Sequence, residues 1–107
     1  MKVTLRNIQE NPTSLARKIG YQPLGVSPNN DFEMVRELGG SGHYPRFHIF
    51  LKETDSPGSQ SYGGKEFTLT LHLDQKKPSY SGNHAHSGEY DGEVVDGELQ
   101  RIKEILR

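Results

Sequence analysis

Nine consecutive residues, EFTLTLHLD at 66–74, alternate between polar and apolar side chains without a break. Successive side chains of a β-strand point to opposite faces of a sheet, so this period of two predicts a strand with one apolar and one polar face. Burial of one face alone is typical of an antiparallel sheet. The rest of the chain therefore has to supply partner strands and a cover for the apolar face.

A second alternating segment, RFHIFLKE at 46–53, lies nearby in the sequence. The glycine- and serine-rich stretch 54–65 separates the two and is typical of a flexible loop, so we expect a hairpin. A register with Phe47 opposite Leu71 makes apolar side chains meet across the pair. The less regular segment 32–38, FEMVREL, is predicted to be a third strand at an exposed edge of the sheet.

A short helix is predicted to begin at Asn11 and Pro12, because Asn is a good N-cap and Pro is favoured in the first helical turn. Leu15 and Ile19 lie four residues apart and therefore share one face. Gly20 follows at the position where a glycine commonly ends a helix. We expect this helix to be the first ordered element of the chain.

A C-terminal amphipathic helix is predicted to begin after Gly92. Its apolar side chains recur at intervals of four, three and four residues, as on one face of a helix. Those side chains are Val95, Leu99, Ile102 and Leu106. Residues 21–31 are rich in Pro, Gly and Asn, so they are expected to form turns.

These elements predict an α+β fold, namely a three-stranded antiparallel β-meander with the short N-terminal helix and the C-terminal amphipathic helix packed on one face. Residues 1–107 are expected to form a single domain, with flexible loops at about 54–65 and 76–91. The predicted core consists of Leu15, Ile19, Phe47, Ile49, Leu51, Phe67, Leu69, Leu71, Leu73, Val95, Leu99, Ile102 and Leu106.

Charge and composition narrow the classes of function. The 13 basic and 14 acidic residues nearly cancel, which does not favour a broad phosphate-binding surface or a nucleic-acid partner. The chain contains no cysteine, so disulfides, thiolate nucleophiles and cysteine-type zinc sites are excluded. No apolar run is long enough to span a bilayer, so we expect no membrane partner and a cytoplasmic location.

The polar face of the predicted sheet is the main candidate site. It carries Arg46, His48, His72 and Asp74, and Lys76 follows shortly afterwards. This set predicts a small binding module for an anionic ligand, a protein or a nucleic-acid segment. An ordinary solvated sheet face would give the same pattern.

The histidines also support a metal-binding interpretation. His84 and His86 form an H-x-H pair that, in an extended segment, presents both imidazoles on one side. If this segment folds back over the sheet, the two histidines can join His48 and His72 around a zinc ion. Such a metal site could be a binding site or the site of a metal-dependent hydrolase. A polar linker without a ligand is the alternative. The sequence does not favour any cofactor, and zinc is the alternative that the histidines leave open.

No catalytic motif is recognisable, since the chain lacks a phosphate loop, a dinucleotide fingerprint, an H-E-x-x-H helix and a G-x-S-x-G elbow. An enzyme is therefore not favoured. A third hypothesis is a role in assembly, in which the exposed strand at 32–38 pairs with a second copy to form a homodimer.

The order helix, three strands, helix resembles the double-stranded-RNA-binding domain over residues 12–74. The segment GGSGHYPRFHIFL is similar to the approach to that family's second strand, where a His precedes the strand. The resemblance implies RNA binding, in which lysines at the start of the last helix contact phosphates. The matching stretch here, GEYDGEVVDGE, is acidic instead.

Three further stretches, YPRFHIFL, LHLDQKKPSY and AHSGEYDGEVV, look like segments of small uncharacterised bacterial proteins of similar length. This resemblance implies a bacterial, cytosolic origin and carries no assigned activity.

Overall fold

The computed structural model describes residues 1–39, 44–54, 64–75, 88–89 and 92–107. Its elements follow in the order β1 (Lys2–Ile8), α1 (Pro12–Ile19), β2 (Gln22–Val26), β3 (Phe32–Glu37), β4 (Arg46–Thr54), β5 (Lys65–Asp74), β6 (Gly88–Glu89) and α2 (Glu93–Leu106). No helix in these ranges is long and apolar enough to cross a lipid bilayer.

Five strands form an antiparallel sheet in the order β1-β5-β4-β3-β2, and the short β6 also pairs with β5. The predicted α+β class is confirmed, but the predicted three-stranded meander is wrong because β1 and β2 were missed. The helix–three strands–helix order that resembled the double-stranded-RNA-binding domain is wrong for the same reason.

Both missed strands contain irregularities that hide the alternation. In β1 the register shifts between Leu5 and Ile8, where Asn7 adopts a positive φ of 58°. In β2 the register shifts between Pro23 and Gly25. Proline and glycine read as turn residues in a sequence, yet an edge strand tolerates both at a bulge. The predicted turn at 21–31 is therefore wrong over Gln22–Val26.

The predicted exposed edge at 32–38 is also wrong. β3 pairs with β2 on one side and with β4 on the other, so it lies inside the sheet. Among the described strands, β1 and β2 form the ends of the order. A homodimer through β3 consequently has no free backbone edge to use.

The predicted hairpin of β4 and β5 is present, with a register that differs by two residues. Phe47 lies opposite Leu73, and His48 lies opposite His72. A shift by two residues keeps every side chain on its predicted face, whereas a shift by one would have exchanged the faces. The polar positions therefore keep their face but gain new neighbours.

The two helices form as predicted. Asn11 caps α1, where its Oδ1 accepts a hydrogen bond of 2.8 Å from the backbone N–H of Ser14. Gly20 ends the helix in the left-handed conformation with φ 85°. α2 begins at Glu93, directly after Gly92, as the sequence indicates.

The core lies between the helices and the odd-numbered face of β4 and β5. All predicted core residues are buried, except that Leu106 is partly buried at its margin. Residues that the sequence analysis missed complete it, and they are Leu5, Ile8, Ala16, Tyr21 and Met34. Phe32 and Val3 pack against its edge.

The predicted loops at about 54–65 and 76–91 fall largely outside the described residues. Within the second range the backbone at 88–89 forms β6, where Gly88 pairs with Asp74 and Glu89 pairs with Leu73. The end of β5 that carries His72 and Asp74 is therefore bordered by a strand on each side.

Candidate functional site

The candidate site lies on the polar face of the sheet, which the even-numbered residues of β4 and β5 build. The observed register places His48 directly opposite His72, with ring centroids 4.9 Å apart. The predicted register, with Phe47 opposite Leu71, would instead put His48 opposite Thr70 and place the two histidines diagonally. Both are buried, at 9% and 6% exposure, so the site is far less solvated than the sequence alone suggests.

Asp74 is the centre of the cluster. Its Oδ1 lies 2.8 Å from Nε2 of His72, and its Oδ2 lies 3.3 Å from Nδ1 of His48. Nε of Arg46 approaches Oδ2 at 3.4 Å, and the Arg46 guanidinium also lies 4.7 Å above the ring of Tyr44. One carboxylate thus contacts two imidazoles and a guanidinium.

Glu33 adds a second carboxylate from β3. Its Oε1 lies 2.9 Å from Nε2 of His48, so both ring nitrogens of His48 face carboxylate oxygens. An ionised carboxylate only accepts hydrogen bonds, and a neutral imidazole has only one N–H to donate. The second nitrogen can therefore be satisfied by another proton on the ring, by a proton on the facing carboxyl group or by a metal ion.

Phe50 forms an apolar wall beside the histidines. Its ring stacks on His48 with centroids 4.5 Å apart and lies 5.6 Å from the ring of His72. The apolar surroundings of a site limit the access of water and strengthen electrostatic interactions inside it. The planes of the Phe50 and His48 rings differ by 28°.

Electrostatics hold Asp74 in its ionised form. Burial by itself would raise the pKa of the Asp74 carboxyl, but hydrogen bonds and charge from His48 and His72 outweigh it and hold that pKa well below its ordinary value. Two carboxylates and one guanidinium leave an excess of one negative charge when both imidazoles are neutral and an excess of one positive charge when both are protonated. A cation is therefore favoured only at a pH at which the imidazoles are neutral.

His48, His72 and Asp74 together form a group that can hold a metal ion, since one ligand atom from each lies within 4.8 Å of the others. Ligands in a tetrahedral zinc site lie about 3.3 Å apart, because zinc bonds to nitrogen and oxygen are about 2.0–2.1 Å long. The two contacts of Asp74 already lie near this separation. The remaining separation among the ligand atoms is at most 4.8 Å, so it has to shorten to about 3.3 Å in a tetrahedral zinc site.

The structure brings together four of the predicted site residues, namely Arg46, His48, His72 and Asp74. The predicted ligands His84 and His86 and the predicted anion contact Lys76 lie outside the described residues. Glu33 and Phe50 were missed as site residues. The alternation of FEMVREL puts Glu33 on the polar face, but its distance from His48 depends on a register that the sequence does not show.

A second charged cluster lies on the opposite, helix-covered side of the sheet. Glu98 of α2 is buried and accepts hydrogen bonds from Tyr21 at 2.6 Å, from Arg36 at 3.2 Å and from Arg101 at 2.8 and 2.9 Å. Arg101 also donates to the carbonyl of Ile19 at 2.7 Å. This network ties both helices to β3 and has a structural role.

No protein-family model matches the chain, and no curated protein and no solved structure matches it significantly.

Proposed function

We propose that this protein is a small binding module whose polar sheet face holds one divalent transition-metal ion. His48 supplies Nδ1, His72 supplies Nε2, and Asp74 supplies a carboxylate oxygen. The observation that carries the proposal is that one ligand atom from each of these three residues lies within 4.8 Å of the others, with both histidines buried.

The arrangement of Glu33 supports this assignment. Metal-binding histidines commonly contact a carboxylate through the nitrogen that does not bind the metal, and that contact fixes the tautomer. The Nε2 atom of His48 makes such a contact with Glu33. A metal ion at Nδ1 would also resolve the excess of acceptors around the His48 ring.

The ligand types favour certain metals. Two imidazoles and one carboxylate suit zinc and also ferrous iron, whereas magnesium and calcium prefer sites made of oxygen atoms. Three protein ligands leave at least one coordination position for water or an added ligand. Because water can occupy that position, metal-dependent hydrolysis stays a prediction. A binding role without catalysis is the function that we favour.

Calorimetric titration of chelator-treated protein with zinc tests the proposal. We expect one ion per chain and no comparable signal with magnesium. Asp74→Asn and His72→Gln should each weaken zinc binding at least about 100-fold, because each removes a direct ligand. Glu33→Gln should weaken it about 10- to 100-fold, because it disturbs the orientation of His48.

The matched control replaces the histidines that the sequence analysis predicted from the H-x-H motif. A His84→Ala/His86→Ala double variant should keep most of the zinc affinity if the sheet-face residues are the ligands. Loss of zinc in this variant, together with unchanged binding in Asp74→Asn, would overturn the proposal. Circular dichroism spectra of each variant establish that the fold is retained.

Arg46→Gln separates the metal site from an anion-binding use of the same residues. Removing a cation 3.4 Å from Asp74 should strengthen zinc binding about two- to fivefold, by analogy with the energies of partly exposed charge pairs. A site that binds an anion through Arg46 would instead lose affinity for that anion. The opposite signs make this variant decisive between the two functions.

The remaining expectations from the sequence stay predictions. They are a bacterial origin, a cytoplasmic location and self-association through an edge strand, for which β1 and β2 are now the candidate edges. RNA binding in the manner of the double-stranded-RNA-binding domain has lost the layout on which it was based.

A further inference from the structure

A cavity of about 510 Å³ lies on the same sheet face, next to the histidine cluster. Its lining residues are Lys2, Asp31, Phe50, Lys52, Thr68 and Thr70. None of these residues belongs to the proposed set of metal ligands. The volume is within the range of about 300–1,000 Å³ that is typical of small-molecule sites.

We propose that this cavity binds a small organic anion, with its phosphate or carboxylate group between Lys2 and Lys52 and its flat apolar part against Phe50. The inference is independent of the metal proposal, since the cavity uses different side chains. The two sites share only Phe50, whose ring contacts both histidines.

The strand register brings the two lysines to opposite sides of the cavity. Lys2 on β1 pairs with Thr70 on β5, and Lys52 on β4 pairs with Thr68 on β5. β5 therefore runs between the two lysines. Strands lie about 4.8 Å apart and rise about 3.4 Å per residue, which puts the two lysine Cα atoms about 12 Å apart. Two long lysine side chains can reach one anion across that distance.

The charges of the lining favour an anion. Two ammonium groups face one carboxylate, and the contact between Lys52 Nζ and Asp31 Oδ1 is a long 3.8 Å. The Lys52 side chain is 51% exposed, so water screens this ion pair and Asp31 holds the ammonium group only weakly. An incoming phosphate or carboxylate can therefore compete for the ammonium group.

The floor of the cavity supplies the remaining contacts. Thr68 and Thr70 are half-buried on β5, and their hydroxyl groups can donate hydrogen bonds to an anion. Phe50 lies opposite Thr70 on the neighbouring strand and lines the cavity, so its ring can pack against an apolar part of the ligand. A purely inorganic anion would leave this apolar surface unused, which is why we assign an organic one.

Amide chemical shifts in a two-dimensional NMR titration test the assignment on chelator-treated protein. Phenyl phosphate and benzoate are the probes for the two head groups, phenol is the neutral control, and inorganic phosphate is the control without a ring. We expect one or both organic anions to shift the amides of Phe50, Lys52, Thr68 and Thr70, with dissociation constants of about 1 mM for such small molecules. The tighter of the two probes identifies the head group.

A Lys2→Gln/Lys52→Gln double variant should raise the dissociation constant about tenfold or more, since it removes both charges that hold the anion. Lys103→Gln, on the exposed surface of α2, is the matched control and should leave binding unchanged. Equal binding of phenol, an unaffected double variant, or binding only after zinc is added would overturn the proposal. The last result would identify the anion as a metal ligand, so failure here is distinct from failure of the metal site.

Discussion

Replacement of Glu98 by alanine should destabilise the fold far more than replacement of Glu104 in the same helix. Both glutamates contact an arginine three residues later, Arg101 and Arg107. The Glu98 side chain is 3% exposed, whereas that of Glu104 is 67% exposed. The two substitutions therefore compare one type of ion pair at two depths of burial.

The expected loss of unfolding free energy depends on the buried groups that lose their partner when the Glu98 carboxylate is removed. Removing one partner of a buried pair costs about 3–5 kcal/mol, because the remaining charges lose their compensation. Arg36 and Arg101 are about one-third exposed, so water can solvate them in part, and we expect about 3 kcal/mol. The buried hydroxyl of Tyr21 also loses its acceptor. Glu104→Ala should change stability by no more than about 0.5 kcal/mol.

Urea unfolding followed by far-ultraviolet circular dichroism measures both variants, since the chain contains no tryptophan to report on unfolding. A loss of about 3 kcal/mol corresponds to a decrease in Tm of roughly 12–24 °C for a domain near this size. If the free energies of unfolding of Glu98→Ala and Glu104→Ala lie within about 0.5 kcal/mol of each other, the buried network around Glu98 does not stabilise the fold as we expect.

The stabilising effect of Glu98 should also depend on pH. Burial would raise the pKa of its carboxyl, but hydrogen bonds from Arg101 and Tyr21 and the nearby positive charges lower it below its ordinary value. A group with a lower pKa in the folded state stabilises the fold above its unfolded pKa, and this contribution disappears as the pH falls through the folded value. The difference in unfolding free energy between wild type and Glu98→Gln should therefore shrink in acid.

Two further predictions concern the polar face and the β1–β5 contact. The lowered pKa of Asp74 means that its ionised form stabilises the fold, so wild type should lose stability below about pH 4. Asp74→Asn should lose less stability than wild type over this pH range. Urea titrations that show equal acid sensitivity of the two proteins would contradict this. Gly64→Ala should cost about 1–3 kcal/mol, because a Cβ at this position would lie 2.6 Å from the Cα of Asn7. Gly97→Ala, with open space around its Cβ, should instead raise the free energy of unfolding by about 0.5–1 kcal/mol. Thermal denaturation measures both variants, and equal shifts in Tm would contradict the close approach of Gly64 to Asn7.

Regular periodicity made much of the fold predictable. The strict alternation around Leu69 and Leu71 and the helical spacing of Val95 and Leu99 identified elements whose apolar sides are buried in the core. Capping chemistry at Asn11 located the start of α1 correctly. These signals are local, so a single sequence carries them in full.

The missed elements and contacts depend on long-range pairing. Leu5 and Ile8 are core residues, but the bulge at Asn7 places them three positions apart in the sequence and breaks the period of two. The contact of Glu33 with His48 requires the β3–β4 register, which no local pattern specifies. A shift of two residues in the hairpin register leaves every side chain on the same face of the sheet, so the polarity pattern cannot distinguish the two registers. The shift nevertheless determines whether His48 and His72 lie opposite or diagonal to each other.

The most direct test of the metal site is to observe the nitrogen atoms of the histidine rings. Long-range ¹H–¹⁵N NMR spectra of ¹⁵N-labelled protein, recorded before and after one equivalent of zinc, distinguish a protonated from a metal-bound nitrogen. We expect zinc to bind Nδ1 of His48 and Nε2 of His72, while Nε2 of His48 stays protonated towards Glu33. If zinc instead alters only the rings of His84 and His86 and leaves both sheet histidines unchanged, the proposed site is wrong.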